Sequence, residues 1–176
     1  MWVAFHPALL RYLRVVAGDA AEDVASETWL QAARDLSRFR GDLAGFRVWL
    51  FRIGRNRAID DRRRARRRTE DPFDPVTQDH LAAVPDAALE ALDRLGTGWA
   101  LAVVSSLPPD QAEAVMLRVV AGLDVAQTAE VLGKRPGAVR VAAMRGLRRL
   151  ANHPEVLARM AVPAPGPLDS PQPEGV

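Results

Sequence analysis

The sequence predicts an all-α fold of two small helical domains joined by a flexible acidic linker. Three observations support this fold: apolar residues recur at helical spacing, capping and turn residues divide the chain into short helices, and charge divides it into blocks. With 176 residues and a 48% apolar share, the chain suits one domain or two small ones and can form globular cores.

Charge is distributed in blocks that the net value of +2 conceals. Residues 1–68 hold 15 basic and 8 acidic residues, residues 69–98 hold 1 and 7, residues 99–152 hold 7 and 4, and residues 153–176 hold 1 and 3. Two basic blocks are therefore separated by an acidic one, a pattern typical of nucleic-acid binding. We take these four blocks as the first domain, the linker, the second domain and a proline-rich disordered tail.

Some classes of protein are excluded by what the chain lacks. It has no cysteine, and its 3 histidines match no metal-ligand spacing, so we expect no disulfide and no metal site. No apolar run approaches the roughly 20 residues of a membrane span, and the N-terminus lacks the pattern of a secretory signal. The default expectation is a cytoplasmic protein without cofactors and without direct membrane insertion.

The first domain begins with two predicted helices. One spans residues 1–17 and ends at Gly18, and the next runs to about Leu36 with Asp19 as its N-cap and Glu22 as the partner in a capping box. Helical spacing predicts that these residues are buried: Leu9, Leu10, Leu13, Val16, Ala21, Ala25, Thr28, Ala32 and Leu36.

The third predicted helix, residues 46–68, carries the most informative pattern. One of its faces is apolar at positions i, i+4 and i+7 from Phe46. On a neighbouring face Trp49, Arg52 and Asn56 supply a flat ring, a cation and an amide, which are the groups that stack on a base, hold a phosphate and read a base edge. For the aromatic residues alone, an ordinary core helix with a solvated charged end is the better explanation.

The arginine run at residues 62–68 is harder to explain as a solvated end. It has six arginines around Ala65 and no acid, and charges this dense repel one another unless an anion lies opposite them. The run therefore indicates a nucleic-acid surface.

The linker, residues 69–98, is predicted to be mostly extended because acids and prolines replace the helical pattern. A short helix from Ala87 to Leu95 fits within it. In the tail, a short helical piece near residues 155–160 is the only regular structure that the prolines permit.

The second domain has the spacing of a helix-turn-helix. A helix begins at residues 107–110 and ends at Gly122, and we expect it to bury Ala112, Val115, Met116 and Val119. Two further helices follow, Val125 to Leu132, opened by a capping box of Asp124 and Gln127, and Pro136 to about Ala151. The residues with helix-turn-helix spacing are Ala129, Gly133 and Val139.

The last of these helices divides into two faces at about 100° per residue. The apolar face is expected to hold Val139, Ala142, Ala143, Gly146, Leu147 and Leu150. The other face is arginine-rich and holds Gly137, Arg140, Val141, Met144, Arg145 and Arg148, with no acid from Lys134 to Leu150. An amphipathic surface helix would divide in the same way, but the preceding capped helix and glycine turn favour DNA reading.

Two segments resemble a known family. AEDVASETWLQAARDLSRFRG with FRVWLFRIGRNRAIDDRRR is similar to region 2 of bacterial RNA polymerase sigma factors of the sigma-70 family. LPPDQAEAVMLRVVAGLDVAQTAEVLGKRPGAVRVAAMRGLRRL is similar to region 4. The absence of a large domain between them resembles the extracytoplasmic-function (ECF) type, which implies that residues 1–68 bind core polymerase and the −10 element and residues 99–152 bind the −35 element.

The resemblance also implies partners and residue roles. The partners would be core RNA polymerase through its clamp and flap regions, promoter DNA, and an anti-sigma factor as regulator. Since polymerase supplies the catalysis, the resemblance implies no catalytic residue. Polymerase docking would involve Asp23, Glu27 and Gln31, although periodicity alone places the last two, with Arg34, on an ordinary solvated face.

For DNA, the resemblance implies two sets of residues. The −10 region would be bound by Phe39, Trp49, Arg52, Arg55, Asn56, Arg62 and Arg63. The −35 region would be bound by Arg140, Val141, Met144, Arg145 and Arg148, where the family often has a polar residue in place of the valine.

Two other functions fit the patterns less well. A stand-alone helix-turn-helix repressor or activator has no need of an aromatic pair and an asparagine beside an arginine run. A generic RNA-binding helical protein has no need of a helix-turn-helix directed at duplex grooves.

Overall fold

The computed structural model describes residues 1–70 and 89–161, and every regular element in these two ranges is helical, which confirms the all-α prediction. The helices are α1 (Trp2–Ala17), α2 (Ala21–Asp35), α3 (Leu43–Glu70), α4 (Leu89–Ser105), α5 (Pro109–Val115), α6 (Val125–Leu132), α7 (Pro136–Ala151) and α8 (Pro154–Ala161). Most of the predicted linker and more than half of the proline-rich tail lie outside the described residues. We call residues 1–70 the first half and residues 89–161 the second half.

The first half is a three-helix bundle. Each pair of its helices is in contact, and Gly54 of α3 lies where the three meet. A Cβ atom at this glycine would lie 3.0 Å from Leu9 Cδ1 and 3.6 Å from Thr28 Oγ1, so the absence of a side chain permits the close crossing. The largest fully buried side chains in this bundle are Leu9, Tyr12, Leu13, Leu50 and Phe51.

Two predictions about α2 were wrong. Asp19 does not cap the helix, because residues 18–20 form a 3-10 turn and α2 begins only at Ala21. Leu36 is 44% exposed, since a second 3-10 turn begins at that residue and turns its side chain away from the buried face. The remaining predicted core positions of α1 and α2 are buried, except Leu10, which is half-buried.

In the second half, α5 continues into a π-helix, Met116–Val120, and this changes which side is buried. An i→i+5 turn takes up more residues than an α-turn, so the following side chains rotate around the axis. Val119, expected in the core, is therefore 62% exposed, while Leu117 is fully buried. Arg118 Nη1 donates to the carbonyl of Leu123 at 2.6 Å and stabilises the turn that follows.

The helix-turn-helix is confirmed. Asp124 and Gln127 form the reciprocal capping box at 2.8 and 2.9 Å, and Gly133 ends α6 in the left-handed conformation with φ of 62°. Ala129 and Val139 are both buried between α6 and α7. Pro136 opens α7 as expected.

The ends of the second half contact each other. α4 is longer than the short helix expected there and reaches Ser105. Its Trp99 donates from Nε1 to Glu155 of α8 at 2.9 Å, and Arg159 lies 4.7 Å over the indole ring. This cation–π contact places α8, which confirms the predicted short helix in this region, against α4.

The two halves pack against each other. α3 contacts α6, and α1 contacts α4, α5 and the π-helix, so one apolar core extends from Phe5 of the first half to Ala143 of the second. Arg47 of α3 lies against the Gly122 turn, where a Cβ would be 3.3 Å from its Nη1 atom. In the ranges that the structure covers, no helix combines the length and the apolar composition that crossing a membrane requires.

Gly146 generates a prediction about the stability of the second half. A Cβ at this position would lie 2.8 Å from Val115 Cγ2 and 3.3 Å from the carbonyl oxygen of Gln111. We expect Gly146→Ala to lower the free energy of unfolding by about 1–2 kcal/mol, because overpacking of α5 against α7 outweighs the gain in helix propensity.

The matched control is Gly137→Ala on the same helix, where nothing lies within 4 Å of the new methyl group. Urea unfolding followed by circular dichroism measures both variants. Equal stabilisation by the two substitutions would show that α5 and α7 do not pack as closely as described.

Candidate nucleic-acid interface

The first candidate surface, which we call the α3 surface, lies on α3 and on the turn before it. It comprises Phe39, Trp49, Arg52, Arg55, Asn56, Arg62 and Arg63. All except Phe39 are on one helix, so their order along the axis is set by helical geometry.

The aromatic end of the α3 surface is a packed cluster. Phe39 stacks on Trp49 with ring centroids 5.1 Å apart at 30°, and meets Phe46 edge-on at 5.7 Å. Gly41 permits this arrangement, since a Cβ there would lie 2.8 Å from Phe39 Cζ. The first two rings are half-buried, and Asn56 is exposed two turns further along α3. The structure thus brings ring and amide to one surface.

The arginines of the α3 surface differ in their surroundings. Arg52 Nη1 lies 3.3 Å from Glu130 Oε1, and Arg55 Nε lies 3.2 Å from Glu113 Oε2, so both face acids of the second half. Arg62 and Arg63 are exposed.

These two exposed arginines also line a groove at the C-terminal end of α3. It is about 480 Å³ in volume and is lined by Ile59, Arg62, Arg63 and Arg66. One aliphatic side chain surrounded by three guanidinium groups suits a nucleic-acid backbone, because the guanidinium groups can bind phosphate while the aliphatic side chain contacts sugar.

The second candidate surface, the α7 surface, comprises Arg140, Val141, Met144, Arg145 and Arg148. All five side chains are exposed, and Val139, Ala142, Ala143 and Gly146 are buried on the opposite face, which confirms the predicted division of the helix. The prediction failed for Leu147, which is 48% exposed.

A depression of about 350 Å³ lies beside the α7 surface. Its lining comes from the N-terminal turn of α5, through Asp110 and Gln111, and from α7, through Val141, Ala142 and Arg145. The Oε1 atom of Gln111 is buried there without a hydrogen-bond partner in the described residues. The first turn of α5 therefore borders the arginine-rich face of α7.

The third candidate surface, on α2, comprises Asp23, Glu27 and Gln31. Two of these three residues contact α3: Arg57 donates from Nε to Gln31 at 2.9 Å, and Glu27 lies 3.7 Å from both Arg57 and Arg64. Asp23 is exposed. The arginines that support the α2 surface were not predicted, because periodicity within one helix does not identify its neighbour.

An aromatic cluster joins α1 to α2 and was also not predicted. Trp2 stacks on His6 at 4.1 Å, and Trp29 donates from Nε1 to His6 Nδ1 at 3.2 Å. Burial lowers the pKa of His6 below its ordinary value of 6.5, partly offset by the charge of Glu22. The hydrogen bond requires an unprotonated Nδ1, so the neutral imidazole is the form that fits.

The chain matches two families, Sigma-70 region 2 over residues 1–68 and Sigma-70 region 4 over residues 98–150. The ECF RNA polymerase sigma factor ShbA of Streptomyces griseus is 35% identical over 156 residues, which cover 82% of this chain and 81% of that protein. SigL of Mycobacterium tuberculosis, another ECF sigma factor, is 35% identical over 138 residues, covering 77% of this chain and 76% of SigL.

One further relative is longer than this chain. The ECF sigma factor BldN of Streptomyces coelicolor is 36% identical over 141 residues, which cover 80% of this chain and 53% of BldN, so the chain spans about half of that relative. The matches to both conserved regions define a sigma-70-type factor. The chain belongs to the extracytoplasmic-function RNA polymerase sigma factors, a family that directs RNA polymerase to promoters.

Two solved structures share the fold. The sigma factor RpoE in complex with the anti-sigma factor NepR from Bartonella quintana has a TM-score of 0.62 and 23% identity, covering 89% of this chain and 94% of that one. CnrH in complex with the cytosolic domain of CnrY has a TM-score of 0.59 and 21% identity, covering 92% and 86%. A stand-alone helix-turn-helix regulator, the alternative considered above, is not supported, since both halves match sigma regions.

The His6 cluster predicts how stability depends on pH. Since the pKa of His6 is lowered in the folded state, its contribution is complete above the unfolded value of 6.5 and is lost as pH falls below it. We expect the melting temperature of the parent protein to fall between pH 7.5 and pH 5.5. His6→Gln should show a smaller fall over the same range, measured by thermal denaturation in matched buffers, and identical pH profiles would contradict this role of His6.

Proposed function

We propose that this sigma factor holds a promoter at two separate places, with the α3 surface binding the non-template strand of the −10 element and the α7 surface binding the duplex −35 element. The observation that carries the proposal is the grouping of stacked rings, an exposed amide and guanidinium groups along one face of α3. A melted strand offers bases to the rings and amide and phosphates to the arginines. In duplex DNA the bases are stacked and paired, so the rings and the amide could not bind them in this way.

On the α7 surface, the exposed arginines are spaced to enter a major groove. Arg140 and Arg145 are the candidates for base and phosphate contacts, since guanidinium groups form bidentate bonds with guanine and bind phosphate. Val141 and Met144 offer apolar contact, which suits a thymine methyl group better than a hydrogen-bonded base edge. The packing of Val139 and Ala129 holds the helix in the reading position.

The same proposal assigns polymerase binding to the α2 surface, with Asp23, Glu27 and Gln31 docking on the polymerase clamp and the second half contacting the flap. Arg57 of α3 holds the last two side chains in place, through an ion pair to Glu27 and a hydrogen bond to Gln31. Core polymerase performs the catalysis, and this chain supplies promoter recognition. Since both solved neighbours are complexes with anti-sigma factors, we also assign an anti-sigma factor as the regulator.

Strand capture is tested by Asn56→Ala. If the amide reads an extruded base, its loss should cost about 1–3 kcal/mol in promoter opening, because the hydrogen bonds to that base are not replaced. The measurement is permanganate footprinting of the melted region, with core RNA polymerase and a promoter selected by this sigma factor.

The matched control is Asn152→Ala, which removes the same side chain at the end of α7, where it bonds only the backbone of its own helix. Co-elution of both variants with core polymerase on a sizing column should be unchanged. Normal opening by Asn56→Ala would remove this residue from the strand site, and absence of co-elution by the parent chain would contradict the proposed function altogether.

Recognition of the −35 element is tested by Arg140→Ala. A bidentate contact to guanine predicts a loss of about 1–3 kcal/mol on the selected −35 sequence and a much smaller loss on a scrambled one. Arg149→Ala is the control, since Arg149 is also exposed on α7 but lies nine residues further along, on the opposite side of the helix. Equal losses on both DNA sequences, measured by fluorescence anisotropy, would mean that Arg140 binds only phosphate.

A further inference from the structure

The two arginines nearest the centre of the α3 surface are not free in this structure. Arg55 is paired with Glu113 of α5, and Arg52 with Glu130 of α6. The partners lie 58 and 78 residues apart in the sequence, so both contacts join the two halves of the chain.

The two pairs differ in burial. In the Arg55–Glu113 pair the side chains are only 20% and 9% exposed, whereas in the Arg52–Glu130 pair they are 46% and 58% exposed. A phosphate could not reach the buried arginine while Glu113 is in place, because the acid already covers it. In the more exposed pair, the carboxylate of Glu130 binds the guanidinium group of Arg52, which would otherwise be available to a phosphate.

The surrounding packing shows that these contacts are part of a continuous interface. α6 packs on α3, α1 packs on α5 and the π-helix, and the apolar core passes between the halves without interruption. Tyr12 of α1 is fully buried in this region, and its hydroxyl has no hydrogen-bond partner among the described residues. An accidental surface ion pair would not be accompanied by such burial.

We propose that the second half of the chain is itself a ligand of the α3 surface, with Glu113 and Glu130 taking the places of two backbone phosphates. In the free protein, α5 and α6 thus cover the part of the strand-binding site around Arg52 and Arg55, and the halves must separate before a melted strand can bind there. This inference rests on the proposed function of the α3 surface. Its consequence is that Arg52 and Arg55 are withheld from other nucleic acids until core polymerase or promoter DNA holds the halves apart.

The acids of the second half and a DNA strand compete for the same arginines. If a strand binds only when the halves are apart, its apparent affinity is the intrinsic affinity multiplied by the fraction of molecules with separated halves. Removing the two carboxylates should raise that fraction, and with it the affinity of the free chain for single-stranded DNA, on the order of 3- to 10-fold.

The chain has no cysteine, so introduced cysteines can be labelled specifically and the contact between the two halves can be measured directly. Cysteines introduced at two exposed positions, Ser26→Cys on α2 and Ala151→Cys on α7, accept a fluorophore pair that reports the separation of the halves. In this labelled background, Glu113→Gln with Glu130→Gln should lower energy transfer. The unlabelled counterpart should bind a short fluorescein-labelled oligothymidylate more tightly than the parent.

The matched control neutralises two acids outside the interface, Glu22→Gln with Glu155→Gln. These acids contact Arg14 and Trp99, each within its own half. The control has the same net charge as the test variant, and we expect it to keep the energy transfer of the parent. If the two double variants behave alike in both measurements, the proposal is overturned.

Two further variants separate the remaining outcomes. Glu130→Gln alone alters an exposed residue and should shift both measurements in the same direction by a smaller amount, even if the buried Glu113 substitution impairs folding. Arg52→Gln with Arg55→Gln should also lower energy transfer but should weaken oligothymidylate binding.

Lower energy transfer in the acid variant without tighter binding than the control would overturn the proposal, because the halves would then separate without uncovering a strand site. Undiminished binding by the arginine variant would instead contradict the proposed function of the α3 surface. The energy-transfer measurement would still establish the contact between the halves, so the two failures are distinguishable.

Discussion

The helix α3 is packed on two sides, and the rest of the structure depends on that double packing. One side closes the three-helix bundle at Gly54, where a side chain would prevent the close approach of α1. Another side meets α6 of the second half. The residues left between these contacts are the aromatic, amide and guanidinium groups of the α3 surface. How many of these groups are accessible to a nucleic acid therefore depends on how much of the α3 surface the second half covers.

Six arginines of α3 have three kinds of surroundings. Arg57 and Arg64 contact Glu27 within the bundle and orient the α2 surface. Arg62 and Arg63 are exposed around the groove at the end of α3 and remain accessible to phosphate. Arg52 and Arg55 form the third group, because their acidic partners come from the second half of the chain. A guanidinium group keeps its charge in all three settings, which lets one residue type serve them all.

Local chemistry made most of the helices predictable. The capping box at Asp124 and the glycine turn at Gly133 involve neighbours within a few residues, and the structure has both. The sequence also placed Trp49 and Asn56 on one face of a helix. It could not identify the acids opposite Arg52 and Arg55, since 58 and 78 residues separate the partners. An acid within the apolar segment AEAVML was the only local sign that Glu113 had a buried partner. The error at Val119 has a similar origin, because a π-turn is not evident from an apolar pattern that assumes regular helical spacing.

That π-turn also constrains the length of the chain between α5 and α6. Each residue of an α-helix advances the chain by about 100° around the axis. The wider turn at Met116–Val120 therefore fixes the direction in which the chain leaves toward α6. Loss of a single residue here would restore a regular helix and would rotate the exit by about a quarter of a turn. The helix-turn-helix would then face a different direction from the one that α5 and α3 now support. Insertions and deletions in this segment would consequently disturb the packing of α6 against α3.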